Sequence, residues 1–249
     1  MRLKLISCEV FTREMFDTAS RSPHQVDITT LPKGLHDIGC DGMRSRLQTA
    51  VDAVDPALYD AILLGYGLCN NGIAGLIARS LPLIVPRAHD CMTLFLGSRE
   101  KYERYFRDNP GTYFLTSGWI ERGEATGDLR QLSIQHANGM DMTLEQLTAK
   151  YGEENARYLW DELCDQTKHY RQLTFIAMGI EPDGSFQERA AEKAADKGWQ
   201  FRVEQGSMDL IRRLVNGPWG ENEFLRVPPG HRIAADFGPG LISAERIDA

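Results

Sequence analysis

One stretch limits what this chain can become. Residues 61–98, AILLGYGLCNNGIAGLIARSLPLIVPRAHDCMTLFLGS, read as strand, turn, helix, strand, turn and helix. The apolar runs at 61–64 and 83–85 are short, unbroken and stopped by Gly or Pro, the pattern of strands buried on both faces. Such strands, joined by crossovers, run parallel, and their carboxyl ends share the sheet edge where ligands bind. The first run leads into Tyr66, Gly67 and Cys69, and the second into Arg87, His89, Asp90 and Cys91. Cys69, His89 and Cys91 are therefore expected on one edge, although twenty residues part the two turns.

The same rhythm extends along the chain. Strands are predicted at 3–6, 26–31, 112–116, 173–177, 199–204 and 224–227. Helices are predicted at 43–54, 73–78, 92–106 with a break at Gly97, 142–150, 153–168, 185–197 and 208–215. The fold class is α/β, with mostly parallel sheets and flanking helices, read as two Rossmann-like lobes around a cleft. The polar, Gly-containing stretch at 121–139 reads as a lid or linker. It divides an N-terminal lobe, 1–120, which carries the Cys/His site, from a C-terminal lobe, 121–249; a single intertwined domain is the alternative.

Composition excludes some functions. With 249 residues and a net charge of −7, the chain has no basic stripe for nucleic acid. No apolar run approaches the ~20 residues needed to span a bilayer. The charges Glu9, Arg13 and Glu14 interrupt the N-terminus too soon for a signal peptide, so the expected location is the cytoplasm. Five cysteines, with no C-x-x-C pair and no export signal, do not form a disulfide framework.

The strand ends gather the chemistry. Cys8 follows the first predicted strand, Cys69 the third, His89 and Cys91 the fourth, and Trp119 the fifth. Three cysteines and a histidine match the ligand set of a tetrahedral Zn²⁺ site or of an iron site. Cys69 and Cys91 precede predicted helices, whose positive ends lower a thiol pKa. Against this, a free cysteine often just fills core, although turns are poor places for packing residues. Cys40 and Cys164 are left out of the site. Asp90 either orients His89 or caps the following helix, Arg87 either clamps an anionic substrate or pairs on the surface, and Glu9 and Glu14 are candidate general bases. Tyr66, Gly67 and Trp119 are assigned to substrate binding as the walls of the edge cleft. No phosphate-loop pattern is present. The remaining histidines, 24, 36, 136, 169 and 231, show no paired spacing and are assigned to the surface.

The segments LISCEVFTRE, LLGYGLCNNG, PLIVPRAHDCMTLFLGS, PGTYFLTSGWIE and LVNGPWGENEFLRVPPG resemble the uncharacterised family DUF1638. The resemblance touches most of the chain, and the run around His89 and Cys91 is quite specific. It implies association with corrinoid-dependent methyltransferase systems, and so a corrinoid protein as partner and a corrinoid cofactor reached through it. The leading expectation is a metalloprotein of methyl-group or one-carbon metabolism, enzyme or accessory factor, with zinc or iron on Cys8, Cys69, His89 and Cys91 and a small-molecule substrate. The alternatives are an iron–sulfur electron carrier on the same cysteines, a non-catalytic partner that binds a corrinoid protein or small methylated ligand, and a metal-free thiol at Cys91 beside His89.

Overall fold

The computed structural model describes residues 1–123, 127–164, 167–236, 238 and 240–247. Its strands are β1 (Arg2–Cys8), β2 (Gln25–Leu31), β3 (Ala61–Gly65), β4 (Ile77–Ala78), β5 (Leu83–Pro86), β6 (Thr112–Leu115), β7 (Gln172–Ala177), β8 (Gln200–Gln205), β9 (Phe224–Val227), β10 (His231–Ala235) and β11 (Ile242–Arg246). The main sheet has the order β2-β1-β3-β5-β9. Its first four strands are parallel, and β9 closes the edge antiparallel to β5. A second parallel sheet has the order β6-β7-β8, and β11-β10-β4 form a small antiparallel one.

The helices are α1 (Thr12–Ser20), α2 (Gly39–Asp52), α3 (Cys91–Leu96), α4 (Arg99–Asp108), α5 (Ser117–Arg122), α6 (Gly127–Gln131), α7 (Ile134–Ala137), α8 (Leu144–Tyr151), α9 (Glu153–Leu159), α10 (Ser185–Asp196) and α11 (Asp209–Asn216). Both faces of the main sheet are covered, which is why its strands read as unbroken apolar runs. Leu3, Leu5, Leu63 and Ile84 point to a core shared with Met15 of α1, Phe95 of α3 and Ile211 and Leu214 of α11. Ile6, Ile62, Leu64 and Val85 point the other way, to Met43, Leu47 and Val51 of α2 and to Ile233 and Ile242 of the antiparallel sheet. Complete burial of each such side chain contributes about 1.5–3 kcal/mol. Ile176 and Met178 of the second parallel sheet join the first core, while Leu173 and Phe175 face Phe186, Ala190 and Ala194 of α10.

The mostly parallel α/β class is as expected, and two local expectations change. The segment 73–78 is not a helix. Residues 69–71 turn in the left-handed region, Gly75 follows at φ 89°, and Ile77–Ala78 pairs with β10. Gln48 of α2 clamps this short strand, accepting from Ile77 N at 2.8 Å and donating to Ile77 O at 3.2 Å. Sheet membership also does not divide at residue 120. β6 lies before that point yet pairs with β7, while α11 and β9–β11 come from the far side and pack on the first sheet. The stretch 121–139, read as lid or linker, carries α6 and α7, with 124–126 outside the described residues.

Two features of this packing predict behaviour. A Cβ on Gly118 would stand 1.8 Å from the Val10 carbonyl oxygen, so α5 closes on the chain before α1 only because that side chain is missing. Gly118→Ala should lower stability by about 1–3 kcal/mol in urea denaturation, the usual cost of overpacking. Glu14 of α1 is buried with neither carboxylate oxygen hydrogen-bonded, and burial pushes its pKa up to about 7. A raised folded pKa means the native state holds a proton that the unfolded chain has released. Glu14 therefore favours folding below about pH 4.5, and its contribution is lost as pH rises through about 7. Glu14→Gln should flatten the stability–pH curve between those values, read from melting temperatures at each pH.

Candidate functional site

The carboxyl ends of the parallel strands converge as the sequence requires. β1 ends at Cys8, β3 runs into Tyr66 and Gly67, and β5 leads through a turn to Cys91 at the start of α3. The two turns are zipped together by backbone hydrogen bonds, Leu68 N to Ala88 O at 2.8 Å and Cys69 N to His89 O at 2.9 Å. Gly67 permits this approach, since a Cβ there would lie 2.8 Å from the Asp90 backbone. Cys69, Asn70 and Asn71 then take φ values of 44°, 60° and 64°, and Gly72 N closes the turn on Cys69 O at 3.0 Å. Asn tolerates this region, whereas Cys69 is held there at a cost of order 1 kcal/mol or more.

Cys8, Cys69 and Cys91 line one cavity together with Tyr66, Gly67, Trp119, Lys33 and His36. Its space is about 20 Å³, room for a single water-sized body. Cys69 packs with the core on one side of the sheet, Cys91 with the core on the other, and Cys8 touches both. The site therefore lies at the sheet edge, where the two cores meet.

Burial dominates the thiol chemistry. It pushes Cys8 up to about 11 and Cys69 up to about 12, and it raises Cys91 as well. Each thiolate would further oppose its neighbours, while Lys33 and Arg122 pull Cys8 partly back. The expected help from helix dipoles does not decide the balance. No helix follows Cys69, and at Cys91 desolvation outweighs the amino end of the six-residue α3. All three are neutral thiols at pH 7 in the absence of a cation.

Among the described residues, two donors in the cavity wall lack acceptors. The Tyr66 hydroxyl is buried, has no hydrogen-bond partner, and lies within the electrostatic reach of Cys8 and Cys69. Trp119 Nε1 is buried without a hydrogen-bond partner among the described residues and lies close enough to Cys91 to favour its thiolate. The Lys33 ammonium sits 4.8 Å over the Trp119 ring. Both residues also line a second, more open pocket of about 400 Å³, with Arg130, Gln135, Asp141, Met142 and Trp160 among its walls.

The other residues singled out in the sequence stand elsewhere. His89 is exposed, its ring stacked on Tyr102 at 5.8 Å, and it contributes only its carbonyl to the zipped turns. Asp90 caps α3, accepting from Met92 N at 2.9 Å and Thr93 N at 3.3 Å, and its other oxygen accepts from the Tyr102 hydroxyl at 2.8 Å. Arg87 donates to the carbonyls of Glu221, Gly240 and Ile242. Glu9 accepts from Lys33 N at 2.8 Å. Among the described residues, no group of three or more His, Cys, Asp or Glu side chains is placed so that it could hold a metal ion. Cys40 is exposed and Cys164 lies outside the cavity lining. Sequence reasoning missed Lys33 and His36, although the signal was present: both follow β2, whose carboxyl end lies on the same edge.

The family model for the protein of unknown function DUF1638 matches residues 30–215. The chain belongs to this family. The match contains Cys69, Cys91, Tyr66, Trp119 and the residues after β2, and it begins after Cys8. Comparisons with curated proteins and with solved structures matched nothing.

Thiol labelling checks this geometry. With an aromatic disulfide reagent at pH 8, exposed Cys40 should react in the fast phase, and Cys8, Cys69 and Cys91 only slowly, reaching full reaction on denaturation. Fast labelling of Cys69 or Cys91 in the metal-free native protein would contradict the buried, neutral cavity.

Proposed function

We propose that this chain is a metal-binding protein that takes one soft divalent ion, such as Zn²⁺, on Cys8, Cys69 and Cys91, with a fourth position open. The observation that carries the reading is that three free thiols from three strand ends line one small cavity. Their donor chemistry suits zinc or ferrous iron. The three cysteines share this lining, and binding would require their sulfurs to close on one centre. The small volume favours a single ion over an iron–sulfur cluster. The raised thiol pKa values disfavour a metal-free nucleophile, since the thiolate is the reactive form.

When bound, a dication stabilises thiolates and can polarise or deprotonate a ligand at its open position. The chain's own residues supply the rest. Three protons must leave the thiols, so affinity should rise steeply with pH. The half-buried Trp119 and buried Tyr66 keep bulk water from the centre, and the larger pocket on the far side of Lys33 and Trp119 gives a substrate its approach. The family resemblance supplies the setting: an enzyme or accessory factor of one-carbon metabolism, working beside corrinoid-dependent methyl transfer.

Anaerobic purification and elemental analysis test the reading. Wild type should carry about one equivalent of metal, and Cys69→Ser and Cys91→Ser should lose it. Because the parallel sheet has its own core, both variants should stay folded, with a modest fall in melting temperature from the lost binding. If both variants and metal-stripped wild type are unfolded at room temperature, the ion is a structural staple and the assignment is wrong.

A further inference from the structure

Every polar side chain on the wall of the cysteine cavity can donate a hydrogen bond: three thiols, Lys33, His36, the Tyr66 hydroxyl and Trp119 Nε1. Among the described residues, the Tyr66 hydroxyl and Trp119 Nε1 have no acceptor, and both atoms are buried. A buried donor left unpaired costs free energy, so two on the wall of one cavity point to an occupant that accepts from both. They approach from different sides. Tyr66 lies on the Cys8 and Cys69 side, and Trp119 faces Cys91. Lys33, over the Trp119 ring, adds a positive field.

We propose that Tyr66 and Trp119 form a two-donor cradle that holds one anionic atom between the three cysteines. The ligand class is a small monovalent anion, or the anionic end of a larger molecule such as a thiolate whose body lies in the 400 Å³ pocket beyond Lys33 and Trp119. The cavity admits only the acceptor atom itself, because its space of about 20 Å³ excludes a bulky headgroup. Tyr66 is the selective element. Its O–H is a buried donor on the cavity wall. The same atom would occupy the open position of a bound metal. The inference rests on the cavity being the binding site proposed above, but not on the metal.

Bromide is the probe. Metal-stripped and metal-loaded protein should each be heated in sodium bromide and in sodium gluconate at equal ionic strength, gluconate being too large to enter. Bromide should raise the melting temperature in a saturable way, and anomalous scattering from bromide-grown crystals should place the ion at hydrogen-bond distance from Tyr66 Oη and Trp119 Nε1. Tyr66→Phe and Trp119→Phe should each weaken bromide about tenfold, the usual worth of one hydrogen bond to a charged group. Tyr66→Phe alone should keep or raise the melting temperature without bromide, because it removes an unpaired buried hydroxyl; a hydroxyl with a merely structural role would give a fall. Competition by 3-mercaptopropionate assigns the atom to a larger thiolate, and its failure to compete assigns it to a free anion. Bromide absent from the cavity, or bound equally by wild type and both variants, overturns the proposal. If bromide binds the stripped protein while elemental analysis finds no metal, the cradle stands and the metal assignment falls.

Discussion

The register of β1 against β3 is the constraint from which the rest follows. Ser7 lies opposite Gly65 at the carboxyl end of that pair. A Cβ on Gly65 would meet Ser7 Oγ at 2.4 Å and the Met15 methyl at 2.9 Å, so the strands can come together there with α1 behind them only as Ser against Gly. A slip of one residue would turn every side chain of β1 to the opposite face and exchange its two cores. With the register fixed, Cys8 ends β1 one residue beyond Ser7, and Tyr66 and Gly67 leave the sheet just beyond Gly65. The thiol of the first strand and the turn carrying the second thiol are brought together by backbone pairing alone.

The unbroken apolar runs made the main sheet legible, and strand direction made its working edge legible. The strand-end rule places Cys8, Cys69, Cys91, Tyr66 and Gly67 on that edge, and all five line the cavity; Trp119 lines it too, but from the helix after β6, a strand of the second sheet. The same rule applied to β2 would have added Lys33 and His36. What escaped was set by contacts that periodicity does not encode. The segment after Gly72 has helical composition, but three left-handed residues and the Gln48 clamp make it a turn and a short strand. The return of β9 to the first sheet is a long-range pairing with no local signal. His89 was drawn to the site by its neighbours in sequence, yet a residue two positions before Cys91 in an extended turn need not share its direction.

Desolvation, not charge, sets the character of the edge. A helix amino end and two nearby cations act on these thiols, and both lose to burial. The result is a cavity that is chemically quiet when empty of a cation. Three neutral thiols do not repel one another, do not attract oxidants as thiolates do, and leave the fold undisturbed. A cation on the proposed site would favour all three thiolates together, because one shared charge would offset their mutual opposition.

The charged residues nearest the site act as scaffolding, and this explains why the cavity holds only uncharged donors with a cation at its rim. Glu9 fixes the backbone of Lys33, Asp90 starts the helix that carries Cys91, and Arg87 ties the loop before it to three carbonyls of the C-terminal segment. Each makes its hydrogen bonds within the fold and outside the cavity lining, so none is desolvated at the centre, where an unpaired charge would cost several kcal/mol. A carboxylate placed inside would also raise the thiols further and favour their neutral form. Moving the charges one layer out leaves their geometric work intact and removes that opposition. In this structure, Glu9, Asp90 and Arg87 act on the backbone around the cavity and leave its wall to thiols, a tyrosine and a tryptophan.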